Sequence, residues 1–131
     1  MIEVAAAVII SQDKVLLADR PADKPPAGWE FPGGKLEAGE SAAEAAEREL
    51  LEELSLPIEA FDIIHTLRQE QIILHFILCR IKGDSQPEAR EGQHFKWVPI
   101  SAEPPAGLLA NDLDFWKILY RYKINHRGTS L

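Results

Sequence analysis

A single cysteine, Cys79, stands in a chain of 131 residues. Its solitude excludes an internal disulfide and any zinc site built from several cysteines. Within the apolar run Ile72–Ile81 it reads as a small core residue rather than a nucleophile. Positive charge is also scarce: 14 Lys and Arg stand against 21 Asp and Glu, a net charge of −7. A grip on DNA or RNA backbone depends on clustered cations displacing counterions, so no nucleic-acid polymer is expected as a partner. No apolar run approaches the ~20 residues that span a bilayer. The amino-terminal stretch MIEVAAAVIIS carries an acid at Glu3 and no basic segment before its apolar run, so a cytoplasmic location without membrane association is the expectation. His65, His75, His94 and His126 show no metal-ligand spacing.

Hydrophobic residues make up 46% and charged residues 27%, the profile of an ordinary globular protein, and the length suits one domain covering 1–131. Ile2–Ile10 and Lys14–Ala18 are β-branched-rich runs around the turn formers Ser11, Gln12 and Asp13, which predicts a strand hairpin. Arg20–Gly28 carries three prolines and a glycine and reads as a loop bordering a site, after which Trp29–Phe31 resumes extended chain. Ser41 followed by Glu44 is a capping-box pair, and Ala42–Leu54 is the strongest helix. Two strands follow, Ile58–Leu67 and Gln71–Ile81, then a polar loop Gly83–Gly92, a short strand His94–Val98 and a closing helix Leu113–Tyr122. The tail Asn125–Leu131 is polar and expected to fray. Strands on either side of a helix, with a second helix at the end, give an α/β fold whose mixed sheet is covered on both faces.

On the helix, Glu49, Glu52 and Glu53 fall within about 100° of arc, and Ala43, Ala46, Leu50 and Leu54 share the neighbouring arc. Carboxylates this close repel one another unless solvent or a cation separates them, and hard oxygen donors suit Mg²⁺ or Mn²⁺. A solvated acidic face is the plain alternative. The surroundings favour the cation: Pro32, Gly33, Gly34 and Gly39 form a glycine-rich approach whose backbone can come close to phosphate or metal, and Arg48 is placed to orient an acid. A metal held between carboxylates and phosphates would also let an acidic protein take an anionic nucleotide as its small-molecule partner.

The segment GKLEAGESAAEAAERELLEELSL resembles the Nudix box, with Gly34, Glu40, Arg48, Glu49, Leu50, Glu52, Glu53 and Leu56 in the family's spacing. It departs at Ser55, where the family has glycine; that position ends the helix left-handed, at a cost of ~1 kcal/mol for a side chain. The likeness runs over most of the chain and is closest to the MutT branch, which hydrolyses oxidised guanine nucleoside triphosphates. Trp29–Lys35 resembles that branch's approach to the box, Arg90–Gln93 its later acidic loop, and Ala110–Asn111 its base-reading pair.

The resemblance implies a Nudix fold, a mixed sheet sandwiched between helices, that cleaves 8-oxo-dGTP to monophosphate and pyrophosphate using Mg²⁺, with Mn²⁺ as a substitute. It implies that Glu49, Glu52, Glu53 and Glu91, with the Gly33 carbonyl, hold metal, that Glu49 is a base or further ligand, and that Arg48 orients a carboxylate. Asn111, the Phe31 carbonyl, Arg20 and Lys35 are the implied substrate contacts. Glu40 is read as serving the loop. Trp29, Phe31 and Phe76 could stack a base or fill the core, and Asn111 could instead cap the closing helix. A pyrophosphohydrolase for another nucleotide, such as a cytosine triphosphate, is the second reading, and a nucleotide sensor without catalysis the third. Monomer and homodimer are both compatible with the sequence.

Overall fold

The computed structural model describes residues 1–20, 27–90 and 92–126. The chain opens with β1 (Ile2–Ser11) and β2 (Lys14–Asp19). They pair antiparallel with Ile10 opposite Val15 and Ser11 opposite Lys14. Only Gln12 and Asp13 remain for the turn, and both take positive φ, 51° and 63°. That is the two-residue hairpin whose backbone twist matches its strands. Next come β3 (Trp29–Glu30), β4 (Gly33–Lys35), α1 (Ala42–Leu54), β5 (Ile58–Arg68), β6 (Ile72–Ile81), β7 (Phe95–Pro99) and α2 (Ala110–Asn125).

β1 is the spine of a mixed sheet of order β3-β2-β1-β6-β5, with β4 added to β1 and β7 to β2. It runs parallel to β6 from Ile2–Ile72 to Ile9–Cys79 and antiparallel to β4 through Val4–Lys35, Ala5–Gly34 and Ala6–Gly33. Side chains alternate across a strand, and β1 has an apolar residue for each face. Ala5, Ala7 and Ile9 pack with Leu50 and Leu54 of α1, while Ala6 and Val8 pack with Phe115, Trp116 and Leu119 of α2. With a helix on either side of the sheet, the α/β sandwich expected from the sequence is the observed architecture.

α1 keeps its expected bounds, and its capping box is formed: Ser41 Oγ accepts from the Glu44 amide while the Glu44 carboxylate accepts from the Ser41 amide. Three features differ from expectation. Gly33–Lys35 is a strand rather than a loop; a Cβ at Gly33 would collide with the Ala5 carbonyl, so the glycine at 33 permits the close pairing of this strand with β1. α2 starts at Ala110, not Leu113, and reaches Asn125. Asn125 therefore closes a helix instead of opening the tail. The extension is stabilised at both ends, by the Asp112 carboxylate accepting from the Phe31 amide and by Lys123 Nζ donating to the Ile100 carbonyl. Residues 21–26 of the expected proline-rich loop, Glu91 and residues 127–131 of the tail lie outside the described residues. No described helix is long and apolar enough to cross a membrane.

Candidate active site

Arg48, half-buried on α1, is a hub of five partners. Its Nε and Nη2 form a two-pronged contact with Glu40, at 2.8 and 2.9 Å, the planar geometry that a guanidinium matches and an ammonium does not. Nη1 donates to Glu49 at 3.0 Å and Glu52 at 3.3 Å and lies 3.6 Å from Glu37, while Nη2 also donates to the Lys35 carbonyl at 3.1 Å. The Arg48 hydrogen bonds, joined by the Glu37 amide, hold the Glu40 carboxyl down at about 2. Glu40 thus ties the glycine loop to the helix.

A cleft of about 680 Å³ opens between this helix, the β4 glycines and the start of α2. From α1 it is lined by Glu49 and Glu53. Gly34 makes room for the first: a Cβ there would stand 2.5 Å from the Glu49 carboxyl carbon. Glu52 does not line the cleft; its side chain is 55% exposed and turned to Arg48. Gly33, Lys35, Arg20 and Asn111 all border the cleft. Among the described residues no three His, Cys, Asp or Glu side chains stand together as a ready metal cage. Glu49, Glu53 and the adjoining glycine backbone nonetheless supply hard oxygen donors of the type Mg²⁺ and Mn²⁺ prefer. Glu91, the other acid expected at the site, is outside the described residues.

The ring of Phe31 is only 4% exposed and meets Phe76 and Phe115 edge to face. Of the two roles open to it, that ring fills the core, as does Phe76. Asn111 does not cap α2: the N-cap is Leu109, and Asn111 is the second helical residue. Its Oδ1 accepts from Gln69 Nε2 at 3.0 Å. The four histidines stand outside the cleft; His75 bonds Glu3 and Thr66, and His94 bonds Asp19. Burial pushes the Cys79 thiol up to about 12, which keeps it protonated and inert.

Asp112 escaped the sequence reading. It is 6% exposed, borders the cleft, and accepts from the Phe31 amide at 3.0 Å. Burial, aided by the negative charge of Glu30, pushes its carboxyl up to about 7 against the pull of the Phe31 amide and Arg20. Glu30, paired with Arg20 at 3.2 Å, is also raised by burial. The signal was present: 112, 115, 116 and 119 are spaced i, i+3, i+4, i+7, so Asp112 occupies the core stripe of α2. Starting the helix at Leu113 hid it. In the unfolded chain this carboxyl titrates near 3.8, so between about pH 4 and 7 the folded state holds the extra proton. The stability from this group is complete below about pH 4 and is lost as pH rises through 7. Asp112→Asn, a mimic of the neutral acid, is expected to flatten that loss. Urea midpoints at pH 5 and pH 8 measure it, and equal changes in both proteins would refute the assignment.

A mixed sheet between two helices, with acids of one helix turned into a cleft beside a glycine strand, is the frame this chain presents. The chain belongs to the Nudix family: the pattern that defines the NUDIX domain matches residues 1–117. Among curated relatives, the CTP pyrophosphohydrolase of Escherichia coli K12 is 46% identical over 71 residues, covering 53% of each chain; the match thus spans about half of that relative's length. The 8-oxo-dGTP diphosphatase of the same organism is 32% identical over 117 residues, covering 85% of this chain and 86% of the relative. Among solved structures, that of the E. coli ORF135 protein superposes with a TM-score of 0.74 at 33% identity, over 99% of this chain and 95% of the other. Nudix hydrolases generally use a divalent cation.

Proposed function

We propose that this protein is a metal-dependent nucleoside triphosphate pyrophosphohydrolase whose preferred substrate is 8-oxo-dGTP, cleaved by water to the monophosphate and pyrophosphate. Glu49, Glu53, Glu91 and the Gly33 carbonyl would hold Mg²⁺ or Mn²⁺, joined by Glu52 on swinging away from Arg48; the ion would neutralise phosphate charge and lower the pKa of the attacking water. Arg48 keeps Glu49 and Glu52 in register with the glycine loop, so that Glu49 can take a proton from that water or join the ligand set. Lys35 and Arg20, both bordering the cleft, meet the phosphates and the nucleoside.

The orientation of the Asn111 amide carries the choice of base. Gln69 donates to Asn111 Oδ1, which leaves the amide NH₂ as the group to meet an acceptor such as the O6 of guanine. An adenine, with an amino group at that position, is disfavoured. Oxidation turns N7 into a donor, and the Phe31 carbonyl is the acceptor for it; Asp112 accepts from the amide on the other side of Phe31 and so ties that residue to the helix that carries Asn111. Asn111→Ala is expected to lower kcat/KM for 8-oxo-dGTP and dGTP alike, by ~1–3 kcal/mol, with their ratio largely kept. Unchanged values for both nucleotides would remove the reason for preferring guanine. The second reading, hydrolysis of a cytosine triphosphate, draws support from the 46% identical relative and from the acids Glu30 and Asp112 on the cleft, which can accept from an exocyclic amine. A panel of nucleotides with Mg²⁺, assayed separately for pyrophosphate and orthophosphate, decides between them.

A further inference from the structure

Ser55 adopts φ 50° and ψ 32°, the left-handed helix ending for which glycine is suited. The side chain that makes this conformation unfavourable is put to use: Ser55 Oγ accepts from Arg90 Nη1 at 2.8 Å. Around it, the loop leading out of β6 lies on the last turn of α1. The Glu88 amide donates to the Leu54 carbonyl at 2.7 Å and the Arg90 amide to the Glu53 carbonyl at 3.0 Å; Gln93 Nε2 reaches the same Glu53 carbonyl at 3.3 Å. The last carbonyls of a helix have no partner within it, and an unsupported last turn frays. Here the loop supplies those partners, and it does so at Glu53, an acid of the cleft.

We propose that Ser55 and Arg90 form a clasp that fixes the loop to the end of α1 and thereby holds the Glu53 carboxylate in position for a divalent cation. Both are positioning residues, and the inference rests on the reading that the α1 acids bind that cation. A glycine at position 55 would keep the three bonds to main-chain carbonyls and lose the one made by the side chain. It would also relieve the left-handed strain. Stability and cation affinity should therefore part company in this variant, which a purely structural role for Ser55 would not produce.

The test uses Mn²⁺ binding followed by electron paramagnetic resonance, without nucleotide, together with amide hydrogen exchange and thermal unfolding. In Ser55→Gly the melting temperature is expected to stay within about 2 °C of wild type, because the lost bond and the relieved strain offset each other. The Arg90 amide should exchange several-fold faster and the Kd for Mn²⁺ should rise roughly three- to tenfold. Arg90→Met, a change at the protein surface, should raise the Kd by the same factor. The double variant should be no worse than either single one, since both remove one shared bond. Additive losses in the double variant, or wild-type Mn²⁺ affinity in both single variants, would overturn the clasp. Glu53→Gln distinguishes the cause: if it too binds Mn²⁺ like wild type, the cation site on α1 is itself misplaced and the clasp falls with it, whereas a loss confined to Glu53→Gln overturns the clasp alone.

Discussion

Glu53→Gln is expected to leave the circular-dichroism spectrum and the melting temperature near wild type while lowering kcat by well over tenfold. Glu53 is half-buried on the last turn of α1 and lines the cleft, while the apolar face of the helix is made by Ala42, Ala45, Ala46, Leu50 and Leu54. An amide has nearly the same shape as the carboxylate, so packing is spared, and the main-chain carbonyl that receives Arg90 and Gln93 is unchanged. What is lost is the negative charge that would hold a cation against phosphate. A tenfold fall in rate corresponds to ~1.4 kcal/mol, and the loss of a required metal ligand should exceed that. Pyrophosphate release measured beside circular dichroism is the check; a folded variant that keeps more than a tenth of wild-type kcat would exclude Glu53 from the site.

Arg48→Met is expected to cost both activity and stability. The guanidinium is the shared partner of Glu40, Glu49 and Glu52 and of the Lys35 carbonyl. Without it three carboxylates near the glycine loop face one another with no cation between them. Melting should fall by several degrees and kcat by one to two orders of magnitude, and Arg48→Lys should restore little, because a point charge cannot serve the two oxygens of Glu40 and the Lys35 carbonyl together. Acid unfolding adds a second signature. Glu40 titrates near 4.5 when unfolded and near 2 when folded. Its contribution is therefore present above about pH 4.5 and lost as pH falls toward 2. In Arg48→Met that acid-induced loss should shrink. If the variant is as active and as acid-sensitive as wild type, Arg48 does not organise the acids.

The parts of the site legible in the sequence share a physical character: their geometry is set within a few residues. Ser41 and Glu44 cap α1 across one turn. The 3.6-residue period puts Glu49 and Glu53 on one face, and the family glycine's replacement by Ser55 still ends the helix left-handed. The period did not show which acid would turn away. Glu52 shares the arc but follows Arg48, at i+4, out of the cleft. Nor did local pattern show that the glycines after Pro32 form a strand, since that depends on the β1 backbone arriving opposite them.

The helix of acids, with its start and its end, follows from local sequence, because hydrogen bonds between near neighbours and the placement of apolar residues settle that element. The furnishing of the cleft came with the packed fold. The Asp112 carboxylate meets a backbone amide 81 residues away, Gln69 orients Asn111 across 42 residues, and Arg90 closes on Ser55 across 35. Each satisfies a polar group that the fold has partly or wholly withdrawn from water. The partner was chosen by whichever element the packed sheet and helices brought within reach, and no local rule of sequence encodes that distance.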